Sequence, residues 1–234
     1  MTPRLLYLHM SPFSERVQWA FESEQVPFER VPYAVVAGEE ELVRLTGQRQ
    51  VPALLAGEEV IADSTAILEW LEAHAPQSKL MPEDPRERAQ VMLHEDLACA
   101  VLGPEARHLL TGRLLASPAP LAAGYGRFLA KKYGHSPFAE HRARASVRRA
   151  LAILGEGLRG RRYLVGDRFT RADLTVAAML MVVRPPPEEL YVCAPSWMRS
   201  MFDDTIAADV EVARLLRWRD AVYTEHRGGV VRPA

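Results

Sequence analysis

The apolar positions change their period along the chain. From residue 4 to residue 75, short apolar runs alternate with helical spacing. Arg4–Leu8 (RLLYL) reads as a short buried strand, and Ser11-Pro12 follows at once. Pro is preorganised for the first turn of a helix and Ser caps one, so a strand-to-helix junction is predicted at Ser11. Phe13, Val17, Ala20 and Phe21 then recur at helical spacing. Val26–Tyr33 (VPFERVPY) reads as a second strand whose prolines suit a sheet edge, and Gly38–Leu45 as a short acidic helix. Val51–Ala56 and Glu59–Ile61 read as strands joined by a tight turn at Gly57. Asp63-Ser64 opens a helix that runs through His74 and ends at Pro76. The order β-α-β-α-β-β-α predicts a mixed sheet of four strands with helices on both faces, because a parallel pair needs a crossover.

Beyond three closely placed breakers, Pro76, Pro82 and Pro85, strand-like runs vanish. Arg86–Leu102, Ala119–Tyr133, His141–Leu158, Ala172–Val183 and Val210–His226 read as helices; Val147, Leu151, Leu154 and Leu158 form a core stripe on the third. Thr170 and Asp173 have capping-box spacing, and Phe169 and Leu174 occupy the hydrophobic-staple positions, which marks where a buried helix starts. Trp218 is assigned to the core. Arg184–Ser200 (RPPPEELYVCAPSWMRS) cannot be regular helix and reads as a long ordered loop, placed to cap or narrow a pocket. The fold class is therefore α/β followed by all-α, with a first domain at 1–76, a linker at 77–85 and a helical domain at 86–234.

Composition narrows the function. With 234 residues, 48% hydrophobic and 25% charged, the chain is an ordinary globular one. Its net charge of −1 divides into −7 over residues 1–78 and +6 over 79–234, and the sign changes near the expected linker. The second half is too mildly basic for a nucleic-acid footprint. The arginine-rich stretch Arg142–Arg171 has no interleaved aromatics before Tyr163 and reads as a solvated helix face. Cys99 and Cys193 are the two cysteines; they lie far apart and exclude a disulfide framework or a structural zinc site. His94-Glu95 lacks the second histidine of H-E-x-x-H, since Ala98 stands there, so no metal is expected. The longest apolar run, Leu174–Val183, is about half a membrane span, and the first residues lack a signal-peptide pattern. A soluble cytoplasmic protein without membrane or nucleic-acid partners is expected.

Three junctions carry candidate chemistry. Ser11 places a hydroxyl at a helix N-terminus, where it either caps the helix or donates to an anion such as a thiolate in the positive field of that end. Gln50-Val51-Pro52 precedes the third strand. Its proline either starts an edge strand in trans or sits in cis and turns the Val51 N–H and C=O outward, free to pair with a peptide-like ligand. Asp63-Ser64 either caps its helix or holds a ligand's carboxylate and amino group.

Ser-Pro-Phe-Ser-Glu-Arg-Val (11–17), Gln50-Val51-Pro52, Asp63-Ser64 and Gly-Asp-Arg-Phe-Thr-Arg-Ala-Asp (166–173), in that order, resemble the glutathione S-transferase family over nearly the whole chain. The first motif resembles its serine-type, theta- or zeta-like bacterial members. The resemblance implies a thioredoxin-like first domain, glutathione as co-substrate without a metal, and a helical domain that holds a hydrophobic electrophile. It assigns Gln50, Val51, Pro52, Asp63 and Ser64 to the γ-glutamyl and cysteinyl parts of glutathione; the Gly38–Leu45 region holds few partners for its glycine carboxylate, and Arg49 is the candidate. Ser11 takes the catalytic position, with Tyr7 and Ser14 as alternatives; Met10, His94, Leu97, Leu102, His108 and Tyr125 are candidate pocket residues. A free thiol ionises near pH 8.5, and lowering that by two units takes about 2.7 kcal/mol of preferential thiolate stabilisation. The implied activity is conjugation, peroxidase or isomerase chemistry by a homodimer active in detoxification; a non-catalytic binding protein of the same fold is the alternative.

Overall fold

Leu5 and Tyr7 pack on one face of the first strand and Leu6 on the other, and this alternation sets the layers of the N-terminal domain. The computed structural model describes residues 2–34, 38–75, 78–192, 195–202 and 204–227, so Pro76, Cys193 and the expected last residues of the helical domain lie outside the described residues. Strands β1 (Arg4–Tyr7), β2 (Glu29–Pro32), β3 (Ala53–Ala56) and β4 (Glu59–Ile61) form one sheet in the order β2-β1-β3-β4. β1 and β2 are parallel, and the other pairs are antiparallel. Helices α1 (Pro12–Ser23) and α3 (Ser64–His74) bury Val17, Phe21, Ile67 and Leu71 with Leu5 and Tyr7. On the opposite face α2 (Glu39–Thr46) buries Leu42 with Leu6 and Ala53.

Two details depart from the pattern. β2 lies at the sheet edge, as its prolines require, but begins only at Glu29. The chain leaves α1 through Gln25 at φ +55°, with the Val26 N–H bonded back to the Phe21 carbonyl, and these residues are spent on the helix exit. β3 is an interior strand rather than an edge. The Val51–Pro52 peptide bond is cis, and Pro52 sits just before the first paired residue.

The helical domain contains α4 (Pro85–Asp96), α5 (Gly103–Leu115), α6 (Pro120–Tyr133), α7 (Pro137–Gly157), α8 (Arg171–Met179), the single turns α9 (Ser196–Arg199) and α10 (Asp204–Ala207), and α11 (Val210–Val222). The residue pattern does not show α5, because Gly103-Pro104 reads as a stop. Instead Leu97–Leu102 widens into a π-helical stretch, and the Gly103 N–H reaches the Ala98 carbonyl. A looser turn of this kind lets a proline, which has no N–H to offer, pass along a continuous helical path. At Gly126 a Cβ would stand 2.8 Å from the Leu115 backbone nitrogen, so glycine is what lets α6 lie this close to α5.

Val147, Leu151, Leu154 and Leu158 are buried in the helical core as their spacing predicts, and α8 is buried along its whole length. The capping box at its start is present in both directions, and Asp173 also accepts from the Leu164 N–H at 2.8 Å. Phe169 and Leu174 join the same core cluster, where the Phe169 ring stacks on Trp19 of α1; the staple therefore also docks the two domains. Trp218 is half-buried against both cores. Arg142, Arg148 and Arg149 are exposed, whereas Arg171, at the end of the same basic stretch, is buried. Among the described residues no helix is long and apolar enough to cross a membrane.

Buried charge ties the domains together. Glu95 on α4 receives Arg16 of α1 at 2.5 Å and Arg171 of α8 at 2.8 Å, with the Thr175 hydroxyl donating to it at 3.0 Å. A second pair, Arg227 with Glu15, is also fully enclosed, and burial pushes the Glu15 carboxyl above its usual range against the pull of Arg227.

Candidate active site

A cavity of about 370 Å³ lies between the domains. Its floor is made of chain junctions. Ser11, half-buried, caps α1: its Oγ accepts from the Ser14 N–H at 3.3 Å, which leaves the hydroxyl proton free to donate. Gln50, Val51 and Pro52 border the cavity from the start of β3, and Asp63 and Ser64 from the start of α3. Asp63 caps α3 by accepting from the Thr65 and Ala66 N–H groups at 2.8 and 3.1 Å. The buried Ser64 Oγ accepts from Arg16 Nη1 at 3.1 Å, so its own proton is likewise left to donate. Two helix N-termini and two serine hydroxyls thus converge on one space, an arrangement suited to anions.

The wall is made of side chains from the helical domain: Arg107 and Leu110 on α5, and Tyr125, Phe128, Lys132 and Tyr133 on α6. Burial pushes the Tyr125 phenol up to about 12. Cys99 also borders the cavity; its thiol is pushed up to about 11 by burial, against the pull of Arg16, whose Nη1 lies 3.0 Å from the sulfur. Cys99 is therefore a neutral thiol near neutral pH.

The N-terminal domain model of the glutathione S-transferases matches residues 5–79, and the C-terminal domain model matches residues 137–221. The chain belongs to the glutathione S-transferase family. Among curated relatives, maleylacetoacetate isomerase from Rattus norvegicus is 35% identical over 107 residues, 44% of this chain and 50% of that protein. A zeta-class glutathione S-transferase from Euphorbia esula is 37% identical over 82 residues, 34% of this chain and 36% of that protein. These matches span about half or less of the relatives' length. The structure of a glutathione S-transferase from Methylobacillus flagellatus with glutathione bound superimposes with a TM-score of 0.69 at 21% identity, covering 92% of this chain and 93% of that one.

Against this glutathione S-transferase fold, the expected site residues separate into two groups. Ser11, Gln50, Val51, Pro52, Asp63 and Ser64 all border the cavity, as do Met10 and Tyr125. Tyr7 does not: it is buried with Leu5 beneath the sheet. Ser14 is fully buried, and its Oγ accepts from the Leu8 N–H at 3.2 Å. Arg49 is exposed, pairs with Glu39 at 3.6 Å and does not border the cavity. Leu97 and Leu102 pack against the helical core, and His94 Nδ1 donates to the Gln90 carbonyl, away from the cavity. His108 packs toward His135, because one residue along α5 rotates the side chain by about 100° and it is Arg107 that faces inward.

The proline-rich segment is a second correction. None of its described residues borders the cavity. It straps the first domain instead: Tyr191 is fully buried, its ring stacks on His9, and its hydroxyl donates to the His9 carbonyl at 2.9 Å. His9 Nε2 donates in turn to the Val192 carbonyl at 2.5 Å. The sequence gives no local signal for the wall residues Arg107, Phe128, Lys132 and Tyr133, which depend on how α5 and α6 lean over the first domain.

Proposed function

We propose that the protein binds glutathione on the floor of the cavity and activates its thiol for attack on an electrophilic small molecule, by conjugation or by isomerisation. The observation that carries this reading is the placement of Ser11, Val51, Asp63 and Ser64 on one cavity floor. In this reading the Val51 backbone pairs with the cysteinyl part, with Gln50 and Pro52 shaping that edge. The Ser64 hydroxyl and the α3 N-terminus take the γ-glutamyl carboxylate, and Asp63 takes the amino group. Ser11 donates its hydroxyl proton to the sulfur and, with the α1 N-terminus, favours the thiolate.

The sulfur lone pair then forms a bond to the electrophilic carbon. In substitution the leaving group departs with the bonding pair. In isomerisation the thiolate adds to an activated double bond, the resulting single bond rotates, and the thiolate is expelled again. The relatives, a maleylacetoacetate isomerase among them, support including isomerisation. A cytoplasmic homodimer that detoxifies electrophiles belongs to the same proposal, and exposed Met92 and Leu93 on α4 offer apolar surface to a second copy.

Calorimetric titration of glutathione, repeated in two buffers of different ionisation enthalpy, tests the reading. Saturable binding with proton release is the expected outcome. Absence of binding at millimolar glutathione would overturn it and leave a non-catalytic role for the fold.

A further inference from the structure

The wall of the cavity holds two cations that are ion-paired with no carboxylate among the described residues. The Arg107 guanidinium lies 3.8 Å from the centre of the Tyr133 ring, and the Lys132 ammonium lies 5.7 Å from the same centre. Among the described residues neither has a carboxylate within ion-pairing distance, whereas the buried arginines 16, 171 and 227 each have one. Among the described residues Asp63 is the one acidic residue bordering the cavity, and its Oδ1 is occupied by the α3 cap. Glu39, which attracts Lys132 from a distance, pairs with Arg49. Two half-buried positive charges around one ring repel each other at low local dielectric, and an anion between them would relieve that cost.

The surroundings say what kind of anion fits. Tyr125 and Phe128 stack with ring centres 6.1 Å apart, and Leu110 and Leu129 complete an apolar slot beside the cations. Tyr33 also borders the cavity, and among the described residues its buried hydroxyl has no hydrogen-bond partner. We infer that the acceptor is a planar apolar electrophile bearing a carboxylate, its body in the aromatic slot and its carboxylate between Arg107 and Lys132. The inference rests on the glutathione reading above and assigns Arg107 and Lys132 to acceptor specificity, not to thiol activation.

Two synthetic conjugates test it: S-(4-carboxy-2-nitrophenyl)glutathione and its aryl methyl ester, each titrated calorimetrically at low salt into the wild type and into Arg107→Gln and Lys132→Gln. The wild type is expected to bind the carboxylate conjugate at least tenfold more tightly than the ester. That preference should shrink at high salt and fall to about twofold or less in Arg107→Gln, with affinity for free glutathione unchanged. Equal affinity for the two conjugates in the wild type overturns the inference while leaving glutathione binding standing. Equal loss of both conjugates and of free glutathione in the variants also overturns it, by giving the cations to glutathione's own glycine carboxylate. If the wild type binds neither glutathione nor a conjugate, the reading beneath falls with it. Unfolding midpoints of the variants within a few degrees of the wild type show that a lost preference is not a lost fold.

Discussion

The floor and the wall of the cavity are built in different ways. The floor consists of short side chains and backbone at chain junctions: Ser11 capping α1, Val51 before the cis Pro52, and Asp63-Ser64 opening α3. Each position is fixed within a few residues of sequence. The wall consists of long side chains on α5 and α6, where Arg107, Tyr125 and Lys132 reach the cavity only because two helices lean over a separate domain. The contrast implies that the floor is held by local geometry, while the wall can be rewritten by substitutions on α5 and α6 without disturbing it.

What joins the halves is the buried cluster at Glu95, so its removal should break the comparison most severely. Glu95→Ala leaves Arg16 enclosed without a counter-charge and Arg171 with only Glu72, at 3.7 Å, and breaking a buried pair from one side costs about 3–5 kcal/mol. Arg16 also braces the Ser64 hydroxyl, so glutathione affinity should fall together with stability. Urea unfolding and calorimetry on the same preparation measure both; a loss under about 1 kcal/mol would show that the domains are held elsewhere.

Legibility in the sequence follows the same division. The sheet, its helices and the floor residues can be read because caps, turns and alternation are short-range signals. The capping box at Thr170 and Asp173 is equally local and equally visible. Helix α5 is hidden because Gly103-Pro104 signals a stop that the π-helical stretch bypasses. Once that helix is missed its rotation is unknown, and His108 stands where Arg107 belongs. The strap fails for another reason: nothing near Tyr191 in sequence shows that its partner is His9, 182 residues away.

A smaller effect sharpens the contrast on the floor alone. Ser11→Ala should keep the fold and most glutathione affinity while lowering turnover at least tenfold, equivalent to about 1.4 kcal/mol of transition-state stabilisation. Losing the cap should also cost about 1 kcal/mol of stability, so the variant is best assayed well below its Tm. Steady-state kinetics against a neutral aryl halide reads the change. Turnover equal to the wild type would transfer thiol activation from the hydroxyl to the N–H groups at the start of α1, since Tyr7 and Ser14 both lie away from the cavity.

The smallest effect concerns the strap and its grip on the loop before Ser11. Burial lowers the pKa of His9 below its ordinary 6.5; the hydrogen bond to Val192 partly opposes this, and the charge of Arg227 adds to it. The unfolded chain therefore takes up a proton at His9 more readily than the folded one. Stability is complete above about pH 6.5 and is lost as pH falls through that value toward the lower folded pKa. His108 and His226, lowered by burial in the same sense, and Glu15, raised by it, are unchanged in a His9→Asn variant and cancel in a comparison with the wild type. The Tm of the wild type should thus fall further than that of His9→Asn between about pH 7.5 and about pH 5.5. Removing the Val192 hydrogen bond lowers the variant at every pH, so the slope rather than the absolute Tm isolates the proton. Parallel slopes would mean that His9 binds its proton equally well in the folded and unfolded chain, leaving Tyr191 as the strap's hold on the floor.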